Sequence, residues 1–237
     1  NGKKPLKLLE RLIKMTTKND EIILDFFSGS SSTAHAVINQ NLEKNSKRKF
    51  IMVQLREDLE DGLIGSSGDT KNTIEESIDF LRSIEKPLYL TELGKERIRR
   101  AGEKIKEDNA DKEGISDLDV GFRVLKVDSS NMKDVYFSPD NTSQDDMFDM
   151  ASNIKDDRSD EDLLFMVLLD WGIDLSVKIE RREVLGKAVY FADDDYLAAC
   201  FSDNIDENFV KAVVAEQPRK VVLRDSGFAS SSVKINV

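Results

Sequence analysis

The chemistry this sequence could do centres on a few carboxylates and one run of small residues. Asp25 ends the apolar run Ile22-Ile23-Leu24 and is followed by Phe26, Phe27 and then Ser28-Gly29-Ser30-Ser31. Ser32 and Thr33 open a segment in which Ala34, Val37, Ile38 and Leu42 recur at helical spacing. Strand, small-residue turn and helix form the first unit of a nucleotide-binding α/β sheet. Small residues let a ligand approach the backbone, and amides at a helix start can hold an anion such as a carboxylate. An acid at the strand's end can pair with an ammonium. Glu57 and Asp58 follow a second apolar run, Phe50 to Leu55, where a dinucleotide fold places an acid for the ribose hydroxyls. Glu57 lies farther from Asp25 than the ~20 residues of the usual fingerprint. On residues alone, a structural turn and a solvated strand end remain open readings of these two sites.

The elements around these groups can be read in order. Pro5 to Met15 is expected to be a helix, with Pro5 in its first turn and Leu6, Leu9 and Ile13, flanked by Leu8 and Leu12, as a wide apolar stripe. Glu43 to Lys49 reads as a polar, basic link, and Phe50 to Leu55 as a buried parallel strand. Residues 60–73 hold three glycines and read as a loop, with Asp69, Thr70 or Asn72 as helix caps. Helix is expected from Thr73 to about Lys106, broken near Pro87. Its second half alternates Glu92, Glu96, Glu103 and Glu107 with basic residues, the pattern of ion pairs along a helix surface. Phe122 to Val127 alternates as a third strand ending at Asp128, which reads as a turn cap before a ligand contact.

Residues 138–160 are dense in aspartate and read as a linker; Asp145-Asp146 and Asp156-Asp157 lack EF-hand spacing. A helix from Glu161 to Trp171 should stop at Gly172. Strands at Leu175 to Ile179, Ala188 to Phe191 and Leu197 to Phe201 then read as a small antiparallel sheet. Asn208 to Ala215 is a further helix, Lys220 to Leu223 a strand, and Arg224 to Phe228 its turn.

The chain has 237 residues, a net charge of −11 and a pI near 4.8, so as a whole it is not a nucleic-acid-binding surface. The single cysteine, Cys200, excludes an internal disulfide, fits a reducing compartment and reads as a small core residue. No run approaches the ~18 apolar residues of a membrane span. A cytoplasmic protein without membrane contact is expected. Asn1 in place of an initiating methionine points to a piece or processed product of a longer protein. His35 is the sole histidine, and it reads as structural.

Asp25-Phe26-Phe27-Ser28-Gly29-Ser30, with Thr33-Ala34-His35-Ala36-Val37, resembles the S-adenosyl-L-methionine (AdoMet) motif of amino-DNA methyltransferases. It is most similar to the modification subunits of type III restriction-modification systems. Lys4-Pro5-Leu6, Leu93 to Ala101, Asp128 to Asn131, Leu169 to Ile173 and Val222 to Phe228 resemble the same family in order. The resemblance implies an α/β fold: a partial Rossmann-like AdoMet-dependent methyltransferase sheet, followed by a small α+β domain. It implies a cofactor-binding part over residues 1–137, an acidic linker over 138–160 and an accessory domain over 161–237. Its cofactor contacts are Lys4, Pro5, Asp25, Phe26, Phe27, Ser28, Gly29, Ser30 and Glu57, with AdoMet as cofactor.

The family's Asp/Asn/Ser-Pro-Pro-Tyr/Phe motif holds the exocyclic nitrogen of a flipped base. Here the four prolines, Pro5, Pro87, Pro139 and Pro218, are all isolated, so no catalytic residue is assigned. The expected function is the AdoMet-binding C-terminal part of a site-specific DNA adenine-N6 methyltransferase, inactive alone. Implied partners are DNA through a missing N-terminal part, the restriction subunit and a second modification subunit. The alternative is an assembly module docking those subunits. A dinucleotide-dependent oxidoreductase is disfavoured, because the second and third fingerprint glycines are lacking. Ser31 replaces the family's second glycine, and at positive φ a serine costs on the order of 1–2 kcal/mol.

Overall fold

The computed structural model describes residues 5–133 and 153–236. The chain is a mixed α/β protein that divides after Phe122 into two compact units.

In the first unit, α1 (Leu6–Thr16) starts at Pro5, whose carbonyl accepts from the Leu8 and Leu9 amides at 3.0 and 3.3 Å. Only Leu6, Leu9 and Ile13 of its stripe pack inward, against Ala36, Val37, Ile23 and Phe50. Leu8, Leu12 and Met15 are exposed, so the packed face is narrower than the sequence pattern. Two strands, β1 (Ile22–Asp25) and β2 (Lys49–Met52), pair in parallel with Ile23 opposite Phe50 and Asp25 opposite Met52. Joining them is α2 (Ser32–Lys44), as a parallel pair requires a crossover. Its other side packs Ala34 and Ile38 against Ile98 and Ile105 of α5 (Leu90–Asp108).

The link before β2 is not merely solvated. Arg48 is buried, donating from Nε to Thr17 Oγ1 at 3.0 Å and from Nη1 to Ser46 Oγ at 2.5 Å. Asn41 brackets the Arg48 backbone, donating to its carbonyl and accepting from its amide. The end of α1 is thereby fastened to the start of β2.

Residues 60–73 are largely helical rather than a loop. Asp58 caps α3 (Leu59–Leu63) by accepting from the Glu60 amide at 2.8 Å, and α4 (Gly68–Ser83) follows. Leu59, Ile78 and Leu81 form a local core that turn-forming composition hid. Pro87 separates α4 from α5 as expected. The third strand is absent: Phe122 closes the α2–α5 core, but Val124, Leu125 and Val127 are exposed and unladdered. Alternation supports a strand only where a neighbour supplies the ladder and cover.

The second unit begins its helical layer with α6 (Asp160–Asp170). Ser159 and Asp162 form a reciprocal capping box at its start, and Gly172 follows its end at φ 65°. Four strands follow: β3 (Ile179–Val184), β4 (Lys187–Ala192), β5 (Leu197–Cys200) and β6 (Lys220–Leu223). They lie in that order; the first three pair antiparallel, as expected, and the last pair is parallel. The cause is α7 (Glu207–Ala215), whose crossover carries the chain back to the starting end of the sheet. The first strand starts at Ile179, not Leu175, because Asp174 Oδ1 accepts from the Ser176 amide and makes a turn there.

Tyr190, Ala192, Leu197 and Ala199 face α6, while Val189, Phe191, Ala198 and Cys200 face α7. Cys200 is buried in that second cluster, a core residue as read. Gly227 sits so close to Ser202 that an added Cβ would lie 2.6 Å from its carbonyl oxygen. The Arg224 to Phe228 motif is therefore a packing device. The chain ends in a short helix, α8 (Ser231–Asn236).

Candidate functional site

Asp25 ends β1, and the pairing continues past both strand ends, to Val53 after β2 and to Ser28 after β1. The Val53 amide donates to the Asp25 carbonyl at 2.8 Å, and the Ser28 amide to the Val53 carbonyl at 3.1 Å. The Asp25 carboxylate is oriented from two sides. Oδ1 accepts from the Phe27 amide at 3.2 Å, and Oδ2 from the Thr33 hydroxyl at 2.6 Å. These two bonds set the direction of the carboxylate.

The loop between Asp25 and α2 makes two left-handed turns, Gly29 at φ 53° and Ser31 at φ 56°. Serine thus occupies the conformation in which glycine is favoured. Ser31 is also the N-cap of α2, but its hydroxyl does not cap the helix. The Ser31 amide donates to the Ser28 carbonyl at 2.8 Å. Phe26 and Phe27 are exposed, with ring centroids 5.1 Å apart and planes tilted by 56°.

Gln54 ties this loop to the second acid. Its Oε1 accepts from the Gly29 amide at 2.8 Å, and its Nε2 donates to Glu57 Oε1 at 3.4 Å. The Glu57 carbonyl accepts from the Leu90 amide at 3.0 Å, which joins this strand end to the start of α5. Arg56 lies over the Tyr89 ring at 4.0 Å. Asp25, the loop and Glu57 therefore form one array across the carboxyl ends of the two strands, where ligands bind in open α/β sheets.

Pro5 is exposed at the start of α1, and Lys4 lies outside the described residues. Asp128 lies in the second unit. Its Oδ1 accepts from the Ser129 amide at 2.6 Å, and that bond, with Arg158 beside it, holds its carboxyl below the usual range. The turn reading of Asp128 holds. Among the described residues no group of three or more His, Cys, Asp or Glu is placed to hold a metal. Asp145 and Asp146 lie outside them.

Residues 1–65 match the family described as DNA methylase. The chain is similar to the StyLTI Mod subunit of a type III restriction-modification enzyme from Salmonella typhimurium, 32% identical over 120 residues. That match covers 51% of this chain and 15% of that protein. The EcoP15I Mod subunit of Escherichia coli is 45% identical over 58 residues, 24% of this chain and 9% of that protein. The EcoPI Mod subunit of Escherichia phage P1 is 45% identical over 53 residues, 22% and 8%. The likeness is to DNA methylases over residues 1–65 and to type III Mod subunits over at most about half of the chain. The chain spans only a small part of the length of the relatives it matches.

Several residues around this candidate site were not singled out from the sequence. Thr33 read as a helix opener and Gln54 as the tail of a strand, yet they orient Asp25 and join Glu57 to the loop. Gly94 and Arg97 read as parts of a packing helix, and both meet the loop. An added Cβ on Gly94 would lie 2.7 Å from Ser31 Oγ, while Arg97 Nη1 donates to Ser30 Oγ at 3.2 Å. The expected surface pairs do form elsewhere on α5: Lys95 with Glu92, and Arg99 and Arg100 with Glu96. His35 sits half-buried on α2; burial first, and Arg97 second, hold its imidazole below its ordinary pKa. Among the described residues no helix is long and apolar enough to cross a membrane.

Proposed function

We propose that the first unit is the AdoMet-binding part of a Rossmann-like, site-specific DNA adenine-N6 methyltransferase of a type III restriction-modification system, working in the cytoplasm. The observation that carries this reading is the Gln54 bridge, which holds the loop after Asp25 and the carboxylate of Glu57 in one array. The chemistry of that array fits the cofactor. Asp25 would take its ammonium, Glu57 its ribose diol, and Ser28, Gly29 and Ser30 the close approach of its amino-acid end. Phe26 and Phe27 would give apolar cover, and Lys4 and Pro5 would border the methionine end. Bound AdoMet supplies the electrophilic methyl group; this chain's residues bind and orient it. Without adjacent prolines in the sequence, nothing here assigns a holder for the target amine. We read the 237-residue chain as inactive alone, with DNA, the restriction subunit and a second modification subunit as partners of the whole protein.

Calorimetric titration with AdoMet tests the cofactor reading. Removing a charge-assisted hydrogen bond typically costs ~1.5–3 kcal/mol, so Asp25→Ala and Glu57→Ala should each weaken binding about tenfold or more. Asp128→Ala should leave it unchanged. Given tritiated AdoMet and adenine-rich DNA, the wild-type chain should transfer no label above a heat-killed control. No wild-type binding at millimolar AdoMet overturns the cofactor reading. The second reading, an assembly module, would then gain. It is favoured by an open apolar sheet face, on which Ile22 and Leu24 are each 57% exposed.

A further inference from the structure

The loop rests on α5 at two points one helical turn apart, Gly94 beneath Ser31 and Arg97 beneath Ser30. Arg97 differs from the other arginines of that helix. Arg99 and Arg100 share Glu96, whereas Arg97 has no carboxylate within ion-pair distance among the described residues. Its Nε is buried without a hydrogen-bond partner, and burial pushes its pKa below the ordinary arginine value. A half-buried, unpaired cation is costly and is normally balanced by an anion. Its hydrogen bond leads into the loop, to the hydroxyl of Ser30. Burial first, and the Arg97 charge second, lower the pKa of the His35 imidazole.

Resting on the cofactor reading above, we propose that Arg97 is a positioning residue that orients Ser30 and makes the loop selective for a ligand bearing a carboxylate. The partner of its charge is the amino-acid carboxylate of the methyl donor, reached through Ser30 rather than by direct contact. Arg97 thereby complements Asp25: one acid for the ammonium, one half-buried cation for the carboxylate of the same α-amino acid group.

The test compares AdoMet with decarboxylated AdoMet, which keeps the sulfonium, the amine and the nucleoside. Titrations use the full chain as wild type, Arg97→Gln, Arg97→Lys and Ser30→Ala, with the exposed Lys104→Gln as control. Wild type should prefer AdoMet by about tenfold, the worth of one charge-assisted contact. Arg97→Gln should erase that preference while binding the decarboxylated ligand as before. Arg97→Lys should retain part of it, Ser30→Ala should lose most of it, and the control should not change. The resonance of His35, the one histidine in the chain, reports whether each variant keeps its fold. If Arg97→Gln does not fold, Ser30→Ala decides, and an undiminished preference there overturns the proposal. Wild-type binding with equal affinity for both ligands overturns the Arg97 proposal alone. Failure of wild type to bind either ligand overturns the cofactor reading and this proposal with it.

Discussion

The two units treat their sheets in opposite ways. In the second, alternate side chains of β4 and β5 face α6 on one side and α7 on the other, so Leu197, Ala198, Ala199 and Cys200 are all buried. In the first, α1 and α2 cover Ile23 and Phe50, while Ile22, Leu24, Ile51 and Val53 on the opposite face remain about half exposed. A two-stranded sheet is at best marginal by itself. The first unit is held instead by helices around α2 and by the buried Arg48 network. Among the described residues the unit with the completed core brings no such set of groups together, while the unit with the open face carries the acids, the left-handed loop and the half-buried arginine.

The sharpest way to break this comparison is one substitution made twice. Leu197→Ala, at a fully buried strand position, should destabilise the second unit by about 2–5 kcal/mol, as buried leucine truncations do. Leu24→Ala, at a strand position 57% exposed, should fall within about 0.5 kcal/mol of wild type. Urea melts followed by unit-specific probes check both. An equal cost at Leu24 would show that the face is covered in solution and that the contrast is false.

A smaller effect sharpens the account of the loop. Ser31→Gly removes a left-handed serine that costs on the order of 1–2 kcal/mol. Glycine returns roughly 0.5–1 kcal/mol of that through its greater freedom in the unfolded chain. The net gain should be up to about 1 kcal/mol, confined to the first unit and visible as a rise in its urea midpoint. A loss of stability would mean that the Ser31 side chain holds the loop.

The smallest effect separates the units by pH. His35 has its folded pKa below its ordinary 6.5, so the unfolded chain takes up the proton more readily. Its contribution is fully present above about pH 6.5 and is lost as pH falls further. Glu180 is lowered from 4.5 to about 2 by hydrogen bonds from Lys178 and Arg182. Its contribution is present above pH 4.5 and is lost as pH falls toward 2. Melting curves of wild type against His35→Asn should therefore begin to converge as pH falls below 6.5, and those against Glu180→Gln only below pH 4.5. Convergence of both pairs in the same window would contradict the assignment.

Much of the local structure was legible because local chemistry dictates it. The helix from Pro5, the break at Pro87, the acidic start of α6 and its stop at Gly172 follow from proline, capping charge and glycine, which act within a few residues of themselves. The strand–loop–helix around Asp25 was legible for the same reason, as was the turn at Asp128. The third strand, the true start of β3 and the helices within residues 60–73 were not. Phe122 to Val127 has the alternation of a strand but no ladder, and within residues 60–73 only Leu63 joins the core that Leu59, Ile78 and Leu81 form on either side.

By itself the sequence determined which groups are available: the acid after the first strand, the small-residue loop, the later acid and the likeness to Mod subunits. The tertiary structure alone decided which of them work together. Gln54 stands 25 residues from the Gly29 amide it accepts from, and Arg97 stands 67 from the Ser30 hydroxyl it donates to. Neither pairing has a periodicity or a spacing that a reading along the chain can detect. They exist because two parallel strands bring their carboxyl ends side by side and because α5 packs on α2 closely enough to leave Gly94 no side chain.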